Sequence, residues 1–302
     1  MTEKFKQIDE VSVGNRLGEG VQWRVSDQSI WWTDILENKL FRYDWQTKSL
    51  NVINVPEPLG SFAFTQRPSV ILAAFASGFA YFNWENGKIE WLHQPPFLRG
   101  EGRFNDGRAD RQGRFWCGTM MVNPEGPMPA TGRLFCLDTQ RNISVHEHEV
   151  SISNGIGISP DSKTFYYADS MRGNIYNYDF DADKGKLSNK RLFARVPRGG
   201  GPDGAAVDAA GNVWSAQWAA GKILAFDPSG DIIAEQLVPT CQPTCVAFGG
   251  PDLNLMIVTS ATDGLSKSRL ETDPSAGNLF IFETDVIGLP EEIYKGDAPN
   301  LR

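Results

Sequence analysis

One strand ending recurs along the chain and constrains its fold more than any other feature. The pattern Gly-x-(Ile/Leu)-x-x-(Phe/Tyr/Leu)-(Asp/Glu) occurs at Gly132–Asp138, Gly173–Asp179, Gly221–Asp227 and Gly277–Glu283; Asn38–Asp44 carries it with Asn at its head, and Gly78–Asn83 is a weaker copy. Five of these endings follow a run rich in aromatic and β-branched residues: Ser29–Asp34, Arg114–Gly118, Thr164–Asp169, Asn212–Ser215 and Leu255–Ser260. Such residues suit a pleated, buried strand. A polar turn precedes each run, as at Asp110–Gly113, Ser159–Ser162 and Asp208–Gly211. With the first strand of each copy set near Glu19, Gly60, Asn105, Asn154, Asp203 and Thr244, the intervals are 41, 45, 49, 49 and 41 residues. Those are blade-sized repeats. A lone four-stranded antiparallel sheet leaves both faces wet, whereas six arranged radially cover one another. The expectation is an all-β, six-bladed β-propeller, with residues 1–302 forming a single domain. The last copy ends close to Val286, so the N-terminal segment around Gln7 to Val13 is expected to lend the closing outer strand. A pair of β-sandwich domains would also give short strands and frequent turns, but it does not account for the ending at blade spacing.

Composition narrows the partners. In 302 residues, 29 Lys and Arg stand against 37 Asp and Glu, a net charge of −8, with no basic block. Nucleic acid and anionic membranes both require clustered positive charge, so neither is expected. No apolar run has the length of a signal peptide core or a membrane span, and a cytoplasmic protein, monomeric or weakly self-associating, is expected. Cys117, Cys136, Cys241 and Cys245 lack paired spacing and read as small buried hydrophobes. His93, His146 and His148 fit no zincin pattern and read as surface residues. The run Gly199–Gly201 has no helix or Lys-Ser/Thr after it and is no phosphate cradle, and no Gly-x-Ser-x-Gly elbow is present.

In a propeller the innermost strand of each blade lines the channel, and the first residues of these strands converge at one mouth. Those positions hold Gly18-Glu19-Gly20, Arg103-Phe104-Asn105-Asp106-Gly107, Ser153-Asn154-Gly155 and Pro202-Asp203-Gly204. Glu19, Asn154 and Asp203 supply hard oxygens and two negative charges, a set suited to one divalent cation. Ca²⁺ is the first expectation, with Mg²⁺, Mn²⁺ or Zn²⁺ as alternatives. Trp23 and Trp218 are placed near the mouth, and Ser77-Gly78 together with the stretch from Asn123 to Gly132 are candidate covers over it.

These residues carry a resemblance. Leu17–Gly20 followed by Trp23, Arg103–Gly107 followed by Asp110, Gly113–Trp116 and Gly118–Met120, Ser153–Gly155 with Asp169-Ser170, and Gly201–Gly204 with Asp208 resemble, in order, the senescence marker protein-30/gluconolactonase/regucalcin family. The resemblance implies a propeller that holds one divalent metal and hydrolyses sugar lactones. It implies Glu19, Asn154 and Asp203 as metal ligands, and Arg103 and Asn105 as substrate contacts. Regucalcin-type members place a glutamate shortly after Gly-Thr-Met; here Met121-Val122-Asn123 stands there, so Asn123 is the candidate contact to sugar hydroxyls and the substrate preference of the animal members is not carried over. Lactone hydrolysis needs a polarised carbonyl and a proton acceptor for the attacking water, and Asp203 is the candidate base. Other esters or organophosphates, or a calcium-binding propeller without catalysis, are the alternative readings.

Overall fold

In the computed structural model, residues 5–95, 101–122 and 126–302 are described, and their strands form six four-stranded antiparallel sheets. The N-terminal strand β1 is Phe5–Val11. The first blade holds β2 (Gly18–Arg24), β3 (Ser29–Asp34), β4 (Lys39–Asp44) and β5 (Leu50–Asn54), and the second β6 (Leu59–Phe64), β7 (Val70–Phe75), β8 (Gly78–Asn83) and β9 (Ile89–His93). The third holds β10 (Gly102–Ala109), β11 (Phe115–Met121), β12 (Gly132–Leu137) and β13 (Ile143–Val150), and the fourth β14 (Ser153–Ile158), β15 (Thr164–Asp169), β16 (Asn174–Asp181) and β17 (Lys186–Arg195). The fifth holds β18 (Gly201–Val207), β19 (Val213–Trp218), β20 (Lys222–Phe226) and β21 (Ile232–Leu237). The sixth is built from β22 (Pro243–Gly249), β23 (Leu255–Ser260), β24 (Leu279–Thr284) and, on its outer edge, β1 paired antiparallel with β24 from Phe5↔Thr284 to Val11↔Leu279. A short helix, α1 (Lys267–Thr272), interrupts that blade.

The innermost strands touch in ring order, β2, β6, β10, β14, β18, β22 and back to β2. That ring explains the composition of the strands. The two inner strands of each blade have neighbours on both faces, so β3, β6 and β23 are buried throughout, while outer strands such as β5 and β21 alternate or are exposed. The core is accordingly a set of clusters between adjacent blades: Trp23, Trp32 and Ile257 join the sixth to the first, and Trp116, Phe165 and Tyr178 join the third to the fourth. The polar turns serve this packing. Asp110 accepts the Trp116 indole N–H at 2.9 Å and Asp208 accepts that of Trp214 at 2.8 Å, so each turn carboxylate satisfies the one polar atom of a buried ring. Trp23 sits at the far end of β2 within the core, not near the mouth; its alternate position on the strand made it a packing residue.

Beyond β24 the chain crosses the face opposite the mouth. Gly288 bridges to Asp208, Tyr294 pairs with Thr65 and its backbone N–H donates to Phe64, and Lys295 N–H donates to Gly113. The ends of blades two, three and five are thereby bound under one tail. No helix among the described residues is long and apolar enough to cross a membrane.

Candidate active site

In every blade the pairing of the innermost strand with its neighbour slips near the mouth: between Glu19 and Gln22, Leu59 and Ser61, Phe104 and Gly107, Asn154 and Gly157, Pro202 and Ala205, and Pro243 and Val246. A bulge of this kind bends the strand and re-aims a side chain. Here it turns sequence-distant polar groups toward one space. Gly155, just after Asn154, takes φ +59°, and a Cβ there would lie 2.9 Å from Ala168 Cβ and 3.1 Å from the Asp203 carbonyl oxygen. Only glycine gives this backbone shape without strain and lets blade four approach blade five so closely.

A pocket of about 530 Å³ opens at the mouth, walled by Glu19, Arg103, Asn105, Asn154, Ser170, Asp203 and Asp263 on its polar side and by Leu17, Met120, Ile152, Met171 and Trp218 on its apolar side. Glu19, Asn154 and Asp203 thus share one wall although they are distant in sequence, and Arg103, Asn105 and Trp218 join them. Asn123 lies outside the described residues. Neither Ser77 nor Gly78 lines the pocket: Ser77 donates to Glu57 at 2.6 Å and accepts from Gln94. The surface beside the opening comes from Met120, Met171 and the Gly199–Gly201 run. His93 and His148 are exposed, and half-buried His146 packs on Trp116 at 4.6 Å, away from the pocket. Cys117, Cys136 and Cys245 are buried and Cys241 half-buried.

A line of hydrogen bonds sets the polar wall. Arg103 Nη1 donates to Asn105 Oδ1 and to the Phe104 carbonyl; Asn105 Nδ2 donates to Asn154 Oδ1 at 2.8 Å and to the Ser153 carbonyl at 2.9 Å. Asn154 Nδ2 then donates to Ser170 Oγ at 2.8 Å, and Ser170 Oγ donates to the Pro202 carbonyl at 2.7 Å. The line crosses three blades and ends on the residue before Asp203. It holds the Asn154 amide in one orientation, with a lone pair of Oδ1 beyond the one Asn105 occupies. Ser170 escaped the site reading of the sequence because it follows β15, outside the innermost strands; its only signal was its place in the Asp169-Ser170 motif.

The electrostatics are those of charges deprived of water. Burial, followed by the charge of Asp106, pushes the Glu19 carboxyl up to about 8. Burial, followed by Glu19 and Asp106, raises Asp203 well above the usual carboxylate range. Each charge disfavours ionisation of the other, the behaviour of two carboxyls competing for one proton. Burial pulls the Arg103 guanidinium down to about 10 against the pull of Glu19 and Asp203. Among the described residues Arg103 makes no ion pair within 4.0 Å; nearby Asp110 is taken by Arg114 at 2.7 Å. The Arg103 guanidinium lies on the pocket wall, with Nη1 held by Asn105 and the Phe104 carbonyl.

This wall fits a hard divalent cation. Two carboxyls on one pocket wall that resist ionising together gain most from a double positive charge, an oriented amide oxygen shares that wall, and no histidine or cysteine is among the described residues of the pocket. Among the described residues no cluster of three or more His, Cys, Asp or Glu forms a metal site; the set here reaches three only through the amide of Asn154.

Comparison with known proteins agrees with this architecture. Residues 17–262 match the family described as SMP-30/Gluconolactonase/LRE-like region. The chain is 36% identical to a 6-deoxy-6-sulfogluconolactonase of Pseudomonas putida, over 93% of this chain and 95% of that protein. It is 35% identical to a pentonolactonase of Haloferax volcanii, again over 93% and 95%. Its fold superposes on a crystal structure described as a calcium-binding protein, regucalcin, from Agrobacterium tumefaciens, with a TM-score of 0.90, 28% identity, and coverage of 96% of this chain and 98% of that one. On the match over residues 17–262 and relatives above 30% identity over more than nine-tenths of the chain, the chain belongs to the SMP-30/gluconolactonase/regucalcin family, whose members at this level of identity include sugar lactonases.

Proposed function

We propose that this chain hydrolyses a sugar lactone, opening an aldonolactone to its aldonic acid in the mouth pocket, with one divalent cation held by Glu19, Asn154 and Asp203. The observation that carries the reading is the convergence of those three residues with Arg103 and Asn105 on one wall. The bound cation would neutralise the paired carboxylates, polarise the lactone carbonyl and lower the pKa of water.

The protein's own groups supply the rest. The Asp203 carboxylate takes a proton from the attacking water as the new C–O bond forms at the carbonyl carbon. It returns that proton to the ring oxygen as the ring C–O bond breaks. Arg103, anchored through Nη1, presents the remainder of its fork to the lactone oxygens, a bidentate geometry a lysine does not reproduce. Asn105 and Ser170 hold the wall in register through the hydrogen-bond line. Trp218, Met120 and Met171 supply an apolar side that packs on the C–H face of a sugar ring and keeps bulk water off the reacting bond.

The test is acid release from a panel of aldono-1,4- and 1,5-lactones, with simple esters and an organophosphate alongside, each with chelator and after restoring Ca²⁺, Mg²⁺, Mn²⁺ or Zn²⁺. Turnover of sugar lactones that a chelator abolishes and a cation restores is expected. Turnover confined to the non-sugar substrates would overturn the substrate assignment, and cation binding with no turnover of any of them would leave a binding propeller.

A further inference from the structure

Below the mouth, the channel holds a second set of buried charges that the chemistry above does not use. Two residues on from Asp106, on the same innermost strand, Arg108 donates through Nη2 to the Ala205 carbonyl of β18 at 2.8 Å and through Nη1 to Glu291 Oε1 at 2.7 Å. Ala205 stands two residues after Asp203. Glu291 belongs to the C-terminal tail on the opposite face, and its side chain is only 7% exposed. Asp106 lies between the two levels, with Oδ2 accepting the Ile156 N–H from blade four at 3.0 Å. Its charge is felt by Glu19 and Asp203 above, and it feels Arg108 and Glu291 below.

With every carboxyl ionised, as a bound cation would hold them, the groups between mouth and tail count as four carboxylates, Glu19, Asp106, Asp203 and Glu291, against two guanidiniums, Arg103 and Arg108. The surplus is two negative charges, what one divalent cation neutralises. At the rim Asp263 is paired with Arg16 at 3.2 Å and drops out of this balance.

We propose that Glu291 is a positioning residue for the cation site: by holding Arg108 across the channel against Ala205 and cancelling its charge, it keeps β18 set beneath Asp203 and preserves the surplus that draws a divalent cation to the mouth. This rests on the reading of Glu19, Asn154 and Asp203 as cation ligands. The Arg108 side chain is 19% exposed; stripped of its carboxylate it would repel a dication with less screening than a fully exposed charge, whose loss water and salt would mask. Glu291 touches neither cation nor substrate in this scheme.

The experiment is calorimetric titration of Ca²⁺ and Mn²⁺ into the chelator-treated full chain, for the wild type, Glu291→Gln and Tyr294→Phe, with thermal unfolding of each measured without metal. Glu291→Gln keeps an acceptor for Arg108 and removes the charge. It is expected to weaken cation binding about tenfold or more. Tyr294→Phe removes the tail's hydrogen bond to the Asp138 carbonyl and alters no charge; it is expected to lower thermal stability and leave cation affinity within about twofold. Equal affinity in wild type and Glu291→Gln would overturn the proposal, and so would an equal loss in both variants, which would make the tail's effect one of general stability. If the wild type itself binds no divalent cation, the ligand assignment fails first and this inference with it, a result distinguishable from either of the others.

Discussion

Asp203 is asked to be both ligand and base, and it is buried beside a second carboxyl. Replacing it with Asn keeps its volume and removes its charge, so folding has little to lose while catalysis loses both roles. A fall in kcat/KM for a sugar lactone of about 10²-fold or more is expected for Asp203→Asn, with a melting temperature of the metal-free protein at or above that of the wild type. Undiminished turnover at saturating metal would remove Asp203 from both roles. Arg103→Lys keeps one positive charge and loses the fork, so a raised KM or lowered kcat/KM is expected with metal affinity and thermal stability little changed; a loss of stability with intact kinetics would make Arg103 structural. Glu19 sets the pH dependence. Its ordinary value of 4.5 rises to about 8 in the fold, so the metal-free native state keeps a proton that the unfolded chain releases. The stability tied to that proton is intact below about 4.5 and is lost as pH rises through about 8. A cation replaces the proton, so the gain in melting temperature on adding Ca²⁺ is expected to grow from about pH 6 to about pH 9. A gain independent of pH across that range would contradict the assignment of Glu19. How far the residues were legible follows from where they sit. Glu19, Asn105, Asn154 and Asp203 share a phase of the repeat and stand at or near glycines, so a periodic reading of the innermost strands reaches them; Ser170, Met171 and Asp263 follow second strands, outside that phase.

The innermost strand, with its bulge, is the element that converts repeat phase into a site. Asn154-Gly155 and Asp203-Gly204, read in the sequence at the starts of innermost strands, lie within β14 and β18 at register slips near the channel mouth. Gly155 is the most demanding of them, through both its positive φ and its closeness to the Asp203 carbonyl. Gly155→Ala is expected to cost about 1–3 kcal/mol of stability and, by pushing β14 from β18, to weaken cation binding measured by calorimetry. A melting temperature and affinity equal to wild type would show that the bulge tolerates a side chain. The strands themselves were legible almost to the residue: β3, β15 and β23 coincide with the aromatic and β-branched runs, because strands buried on both faces leave no polar alternation to blur them.

At the scale of the molecule, a propeller must close its ring, and this one does so by pairing β1 with β24. Phe5 packs edge-on against Trp214 at 5.5 Å, and Asn278 Nδ2 donates to Glu10 at 2.7 Å. Deleting residues 1–11 is expected to lower the melting temperature by at least about 5 °C and to cause concentration-dependent association through the exposed edge of β24. Light scattering and thermal unfolding check both, and an unchanged melting temperature would show that the outer strand is dispensable. The tail performs the corresponding task on the face away from the mouth, tying blades two, three and five.

The sequence by itself determined the number of blades, the place of most strands and the phase at which polar groups enter the channel, because those properties repeat, and a repeat can be read without knowing what touches what. Tertiary structure alone decided what does not repeat. The hydrogen-bond line from Arg103 to Pro202 joins three blades through single atoms, Glu19 and Asp203 share a pocket only once the ring has closed, and the tail after Val286 carries no copy of the pattern that organises the rest. Each of these depends on distances between blades, and such distances are fixed by packing around the ring, not by any one stretch of chain.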